Sequence, residues 1–277
     1  MAAQLLIYER AVPVSNARHG RWSADVGTDY SFSKSINSVP LTAVEFPHAA
    51  GEYPIVFTGT QDAVMPVVIL GLRGQENLFL AQDNSWKATY IPAFVRRYPF
   101  VFSSNADNTQ FTLCIDEAFP GFNQEGRGAR LFDDQGKPSA YVDNVMKFLQ
   151  EYQAQFQRTR AFCKKLSELK LLDPMQAQVT LPAGARTSLT GFMAVNRERL
   201  KQVAADKLAE LAKTDELELI YLHLQSMRNF AGLKDRLALT EAGSSGKGAP
   251  TPAMSEGDHD EMHEKPKAAS GKSARRV

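Results

Sequence analysis

"SAYVDNVMKFLQEYQAQFQRTRAFCKKLSELKLLDP", residues 139–174, is where the rhythm of the chain changes. Tyr141, Val142, Val145, Phe148, Leu149, Tyr152, Phe156, Cys163, Leu166 and Leu169 recur at steps of three and four. That spacing places them on one face of a long α-helix. Ser139 stands where an N-cap is needed. Asp173–Pro174 is expected to end the helix, because the residue before a proline avoids helical backbone. The opposite face, with Lys147, Glu151, Gln155, Arg158, Lys165 and Glu168, reads as solvated.

Upstream, residues 1–137 have a different grain. "NSVPLTAVEF" (37–46), "YPIVFTG" (53–59), "MPVVILGL" (65–72), "NLFLAQD" (77–83), "FVFSS" (100–104), "QFTLCID" (110–116) and "ARLFDD" (129–134) are short apolar runs next to Gly, Pro, Asn or Asp. Each predicts a short strand. A turn is expected at Asp134-Gln135-Gly136. "EYPIVF" (52–57) and "RYPFVF" (97–102) share Tyr-Pro-x-Val-Phe, and proline is permitted at the start of a strand.

Downstream, "QAQVTLPAGARTSLTGFMAV" (176–195) reads as a β-hairpin around Pro182-Ala183-Gly184. Asn196 caps a helix expected to reach about Ala212. Thr214 starts the last helix, "DELELIYLHLQSMRNFAGLKDRL" (215–237), apolar enough from Leu217 to Leu224 to be largely buried. From Thr240 to Val277 there is almost no large apolar residue, and the segment is expected to be disordered. The fold class that follows is α+β: a β-rich half over 1–137, a mainly helical half over 138–239, and a tail over 240–277.

Composition narrows the function. The 277 residues are 43% hydrophobic and 23% charged, an ordinary soluble balance. The formal net charge is +1, and the tail's six Lys/Arg cancel its six Asp/Glu. Phosphate backbones call for a clear positive excess, so nucleic acid is not an expected partner. The most apolar run, "AVMPVVILGL" (63–72), is far short of the roughly 20 residues of a membrane span. The N-terminal stretch lacks the basic region of a signal peptide. The expectation is a cytoplasmic protein. Cys114 and Cys163 read as small buried residues rather than a disulfide framework.

Candidate chemistry is sparse. In "YIPAFVRRYPFVF" (90–102), Pro92 opens a helical turn with Ile91, Phe94, Val95 and Tyr98 on its apolar side. Arg96 and Arg97 then face away, as solvated or ion-paired cations. The alternative is an anion site, since the arginine fork suits carboxylate and phosphate. "CIDEAFPGF" (114–122) places Asp116 and Glu117 at a strand end, pointing to opposite faces. They are expected to partner Arg96 or Arg97; a carboxylate pair doing acid–base work is the sharper alternative. Arg96, Arg97, Asp116 and Glu117 are therefore the candidate ligand-binding residues, and no catalytic residue is assigned. "HDEMH" (259–263) lacks the zincin spacing and sits in the tail, so no metal is expected. His19, His48 and His223 form no ligand cluster, and His223 reads as a satisfied core residue. No phosphate loop, dinucleotide fingerprint, nucleophile elbow or Cys-x-x-Cys appears. No cofactor is expected.

Several long strings carry a resemblance: "NSVPLTAVEFPHAAGEYPIVF", "VVILGLRGQENLFL", "YIPAFVRRYPFVF", "QFTLCIDEAFPGF", "FLQEYQAQFQRTRAFCKKL" and "LTGFMAVNRERL". In this order, over roughly residues 5–237, the chain resembles the SapC family of bacterial proteins. The family takes its name from an operon for secretion of a surface-layer protein. Relatives occur near genes for outer-membrane receptors and flavin-dependent halogenase-like enzymes. The resemblance implies an accessory or binding role in envelope-protein export or modification, with a protein partner from an export or receptor system. The alternative is an enzyme of unknown chemistry, acting on a small molecule or peptide beside oxidative tailoring enzymes. That alternative would gain if the four candidate residues met in one pocket. Some relatives carry transporter labels, which the lack of a span here does not support. The resemblance transfers no catalytic residue.

Overall fold

A computed structural model describes residues 6–60, 63–105, 110–180 and 186–245. The architecture is mixed α+β, with three small antiparallel sheets gathered on one long helix. The first sheet has the order β1 (Ala11–Pro13), β7 (Phe111–Asp116), β6 (Phe100–Ser104). The second runs β8 (Phe122–Asn123), β2 (Ser23–Ala24), β9 (Ala129–Arg130). The third is five-stranded: β10 (Leu172–Thr180), β11 (Arg186–Val195), β4 (Ile55–Thr58), β5 (Met65–Ile69), β3 (Ser38–Pro40). Both Tyr-Pro echoes start strands, β4 directly after Pro54 and β6 directly after Pro99.

The long helix, α4, spans Ala140–Glu168, and the Ser139 hydroxyl accepts the Val142 amide as its N-cap. Its first half buries Val142 and Leu149 against Phe100, Leu113 and Ile115 of the first sheet and Leu131 just after β9. Its second half buries Tyr152, Phe162, Cys163 and Leu166 in the core of the five-stranded sheet. Phe148 touches both cores. Thr159, polar and so absent from the apolar periodicity, is buried as well. It accepts the Ala43 amide at 2.8 Å and donates to Gln155 O at 2.7 Å.

Several expectations are corrected. α4 ends at Glu168, not at Asp173–Pro174. Lys170 adopts φ +52°, the Leu171 amide bonds back to Leu166 O, and the chain turns directly into β10. This is the Schellman ending, which sequence announces only when glycine occupies the left-handed position. Pro174 therefore lies in an edge strand, where its missing N–H costs no ladder bond. "NLFLAQD" forms no strand; only the isolated bridge Leu80–Trp86 occurs there, and Phe79 packs on Tyr53 instead. In "NSVPLTAVEF" only Ser38–Pro40 forms a strand. Thr42 and Glu45 then form a capping box and start a helical turn leading into α2 (Phe46–Ala49).

The turn before α4 is as expected. Gly136 takes φ +76°, and a Cβ there would meet the Asn16 side chain at 2.6 Å. The 176–195 hairpin is formed, with its tip at 181–185 outside the described residues. Each of the two C-terminal helices is divided. Asn196 caps α5 (Arg197–Lys201), accepting from the Glu198 and Arg199 amides, and extended Ala204 separates it from α6 (Ala205–Lys213). α7 (Glu216–Ser226) gives way at Met227–Asn229 to α8 (Phe230–Ser245), where Asn229 reaches back to Ala50 O and Tyr53 O. Of the apolar stretch Leu217–Leu224, Ile220 and His223 are fully buried, whereas Tyr221 is exposed. α8 runs past Leu239; the rest of the tail, including 259–263, lies outside the described residues.

α7 also completes the large sheet. β11 pairs β4 only at Met193–Phe57. In that register Ile55 and Val195 would be the next partners, but the His223 ring stands between them. Its Nδ1–H donates to Ile55 O at 2.7 Å, and its Nε2 accepts the Val195 amide at 3.0 Å. Ser226 accepts the Ile55 amide at 3.0 Å. Burial pushes the His223 pKa down to about 4, against the opposing bond to Ile55. The core-histidine expectation holds.

Candidate functional site

The arginine pair lies where α3 (Ala93–Arg96) hands over to β6. Pro92 caps the turn in extended backbone, and Phe94, Val95 and Tyr98 enter the core as the spacing requires. The two arginines part company there. Arg96 stays exposed, donating through Nε to Ile91 O at 2.9 Å. Its guanidinium lies 5.8 Å from the Tyr90 ring centre and 5.4 Å from that of Phe148. Arg97 is only 4% exposed, which corrects the expectation of a surface cation. One residue further round the turn, it faces inward, and Tyr8 and α4 close over it. Its guanidinium carbon lies 4.2 Å from the Phe94 ring, 5.1 Å from Tyr152 and 5.6 Å from Tyr8. Such contacts favour a cation most when water is excluded.

Asp116 and Glu117 do point to opposite sides, but neither serves Arg96. Asp116 is fully buried. Its carboxylate accepts the amides of Glu9 at 2.8 Å, Arg10 at 2.9 Å and Ala118 at 3.2 Å, tying the N-terminal segment to the end of β7. The Glu117 side chain, 2% exposed, accepts from Arg10, from Arg18 and from His19 Nε2 at 3.1 Å. Nδ1 of that histidine accepts the Ser15 amide at 3.1 Å, so Nε2 carries the proton. Burial alone would raise the Glu117 pKa; the bonds from His19 and Arg10 and the charges of Arg10 and Arg18 outweigh it and hold the carboxyl below its ordinary range. The expected Asp116/Glu117 partnership with Arg96 or Arg97 is thus replaced by a clamp on the N-terminal segment. Sequence spacing could not show this, because the partners lie about a hundred positions away.

Arg96, alone of the four candidates, lines a cavity of about 300 Å³ between the 42–48 segment, α3 and α4. Its walls are largely apolar and aromatic. Tyr90 is stacked on His48, ring centres 5.3 Å apart and 20° from parallel, and Phe148 and Tyr152 come from α4. Glu45 forms the floor. One carboxylate oxygen accepts the Thr42 amide and hydroxyl, both at 2.7 Å. The other accepts the Tyr90 hydroxyl at 2.8 Å and the Ala93 amide at 2.7 Å. Burial first, and then Glu45, push the Tyr90 phenol well above its ordinary value. Burial raises Tyr152 to about 12, although the Arg97 charge pulls it down. Both phenols stay neutral donors at neutral pH. Thr42, Glu45 and Tyr90 are the site residues that sequence reasoning missed. The signal was present as Thr-x-x-Glu, the capping-box pattern, inside a stretch read as strand.

Other chemistry finds little support. Cys114 and Cys163 are buried and unpaired with each other, and burial raises both thiols, Cys163 to about 12. Among the described residues no group of three His, Cys, Asp or Glu is placed to hold a metal ion, and no helix is long and apolar enough to cross a membrane.

The family model for SapC matches residues 14–233, most of the chain, and the protein belongs to that family. No curated protein and no solved structure matches it.

Proposed function

We propose that this SapC-family chain is a binding protein, serving cell-envelope protein export or modification from the cytoplasm. Its ligand pairs an anionic group with a flat or branched apolar body. The observation that carries the reading is the position of Arg96. Its Nε is fixed by Ile91 O, and its guanidinium is held over two rings at the mouth of a largely apolar cavity. A pocket that is mostly apolar with a few placed polar groups is what small-ligand recognition requires. An arginine oriented before the ligand arrives loses less freedom on binding.

A binding role is favoured over catalysis by the state of the buried carboxylate on the cavity floor. Glu45 accepts four hydrogen bonds, so it has no free lone pair with which to take a proton from a substrate. Thermal-shift and calorimetric titration of aromatic and branched carboxylates, phosphates and short peptides against wild type and Arg96→Ala tests the proposal. The expected result is a carboxylate that stabilises wild type and not the variant. Equal shifts in the two proteins, or none with any probe, refute it.

A further inference from the structure

The cavity beside Arg96 does not end at Val44. Beyond that side chain a second hollow of about 500 Å³ continues along α4, with Arg158, Ala161 and Phe162 on one wall and Pro47, Asp215 and Glu218 on the other. Val44 and Gln155 line both hollows, which makes them one trough with a saddle in the middle. Val44 is 55% exposed, an apolar side chain on a turn whose neighbours Ala43 and Glu45 are buried. The trough follows α4 from Phe148 to Phe162. At a rise of about 1.5 Å per residue that is roughly 21 Å. An extended polypeptide advancing about 3.3 Å per residue covers it in roughly six residues.

The two ends differ in charge. At one, Arg96 and His48 face a floor carboxylate already saturated with hydrogen bonds, and Glu151 accepts from Gln155. At the other, Glu216 is held by Lys165 and Thr214. Its neighbours Asp215 and Glu218 are exposed and enter no ion pair among the described residues, with Arg158 of α4 across from them. Acidic residues in the first turn of α7 also suit its dipole; that role leaves their carboxylates facing the trough.

We infer that the trough holds the C-terminal end of an extended polypeptide. The terminal carboxylate sits on Arg96, and the last side chain, aromatic or branched, lies between Tyr90 and Phe148. The main chain crosses Val44, and a basic side chain lies opposite Asp215 and Glu218. A small carboxylate would fill only the first hollow and leave the second one open. The inference rests on the reading of the Arg96 cavity as the binding site and adds the class of its ligand.

Calorimetry on the full chain separates the two. The probes are N-acetyl-phenylalanine, the N-acetylated hexapeptide Lys-Ala-Val-Ala-Val-Phe with a free C-terminal carboxylate, and the same hexapeptide as its C-terminal amide. The free-acid hexapeptide is expected to bind at least roughly tenfold more tightly than N-acetyl-phenylalanine, a factor equal to about 1.4 kcal/mol. The amide and the Arg96→Ala protein should both lose that binding. Asp215→Asn with Glu218→Gln should weaken the hexapeptide and leave N-acetyl-phenylalanine unchanged, since both residues line only the second hollow. Both positions are exposed, so the fold survives the changes. Equal affinity for both free-acid probes overturns the polypeptide inference and leaves the cavity reading standing. No binding of either overturns both.

Discussion

Acid should loosen this fold through one histidine. His223 is fully buried, accepts the Val195 amide, and has its pKa pushed down to about 4. In the unfolded chain it titrates near 6.5. Between these values the unfolded state binds the proton and the folded state does not, so stability rises with pH across that window. The contribution is complete above about pH 6.5 and is lost as pH falls toward about 4, at about 1.4 kcal/mol per pH unit. Moving from pH 7.5 to pH 5 should therefore remove about 2 kcal/mol through this group alone. Other groups add to the total; Glu117, held low against its burial by the bonds from His19 and Arg10 and the charges of Arg10 and Arg18, keeps its contribution through this window and loses it only as pH falls below the ordinary carboxylate range. The decisive quantity is thus the difference between wild type and His223→Gln, followed by urea unfolding with circular dichroism from pH 7.5 to pH 4.5. At pH 7.5 the variant should be less stable by about 1–3 kcal/mol, because at least one buried backbone group loses its partner. Toward pH 5 the gap should close by about 2 kcal/mol, since glutamine has no proton to gain. Parallel pH profiles for the two proteins would refute the role assigned to the ring.

The arginine pair should separate cleanly in denaturant titrations. Arg97→Ala is expected to cost about 3 kcal/mol or more through the void and the lost ring contacts, whereas Arg96→Ala should stay within about 1 kcal/mol; similar losses would contradict the inward placement of Arg97. Native protein should leave both thiols unreacted with an aromatic disulfide reagent at pH 8, and urea should release two per chain; rapid native reaction would mean that one of them is reachable. Removing residues after Ser245 should move the thermal midpoint by no more than about a degree or two, whereas cutting after Leu239 takes away the Arg73–Glu241 contact and the last turn of α8, and should cost more.

What could be read from the sequence was what local periodicity encodes. The face of α4, most of the short β strands, the Asn196 cap and the burial of His223 in an apolar helix all follow from neighbours within a few residues. The misses among the candidate site residues share one cause, which is closure by distant chain. Arg97 looks like a surface residue until Tyr8 and Tyr152 cover it. Asp116 and Glu117 have no local partner because theirs are Glu9, Arg10, Arg18 and His19. The end of α4 escaped because a lysine takes the position at which glycine usually signals a stop. The Thr42–Glu45 box was legible, but the alternating apolar residues around it suggested a strand. Of the four residues first singled out as a site, only Arg96 lines the cavity, and the residues beside it come from three separate segments of chain.

The sharing of α4 between two cores bears on how the chain can acquire its structure during synthesis. Ribosomes release roughly 5–20 residues per second, N-terminus first. Strands β1–β9 thus emerge before the helix that shields them, and both apolar clusters stay open to water until Leu166 is out. The exposed flank of β4 waits longer still: Ile55 meets Ser226 across 171 positions and His223 across 168. The β-rich half cannot mature as an independent intermediate on the ribosome. Chains stalled before α7 should show sticky, protease-sensitive β segments, and chaperone demand should peak in that interval rather than after release.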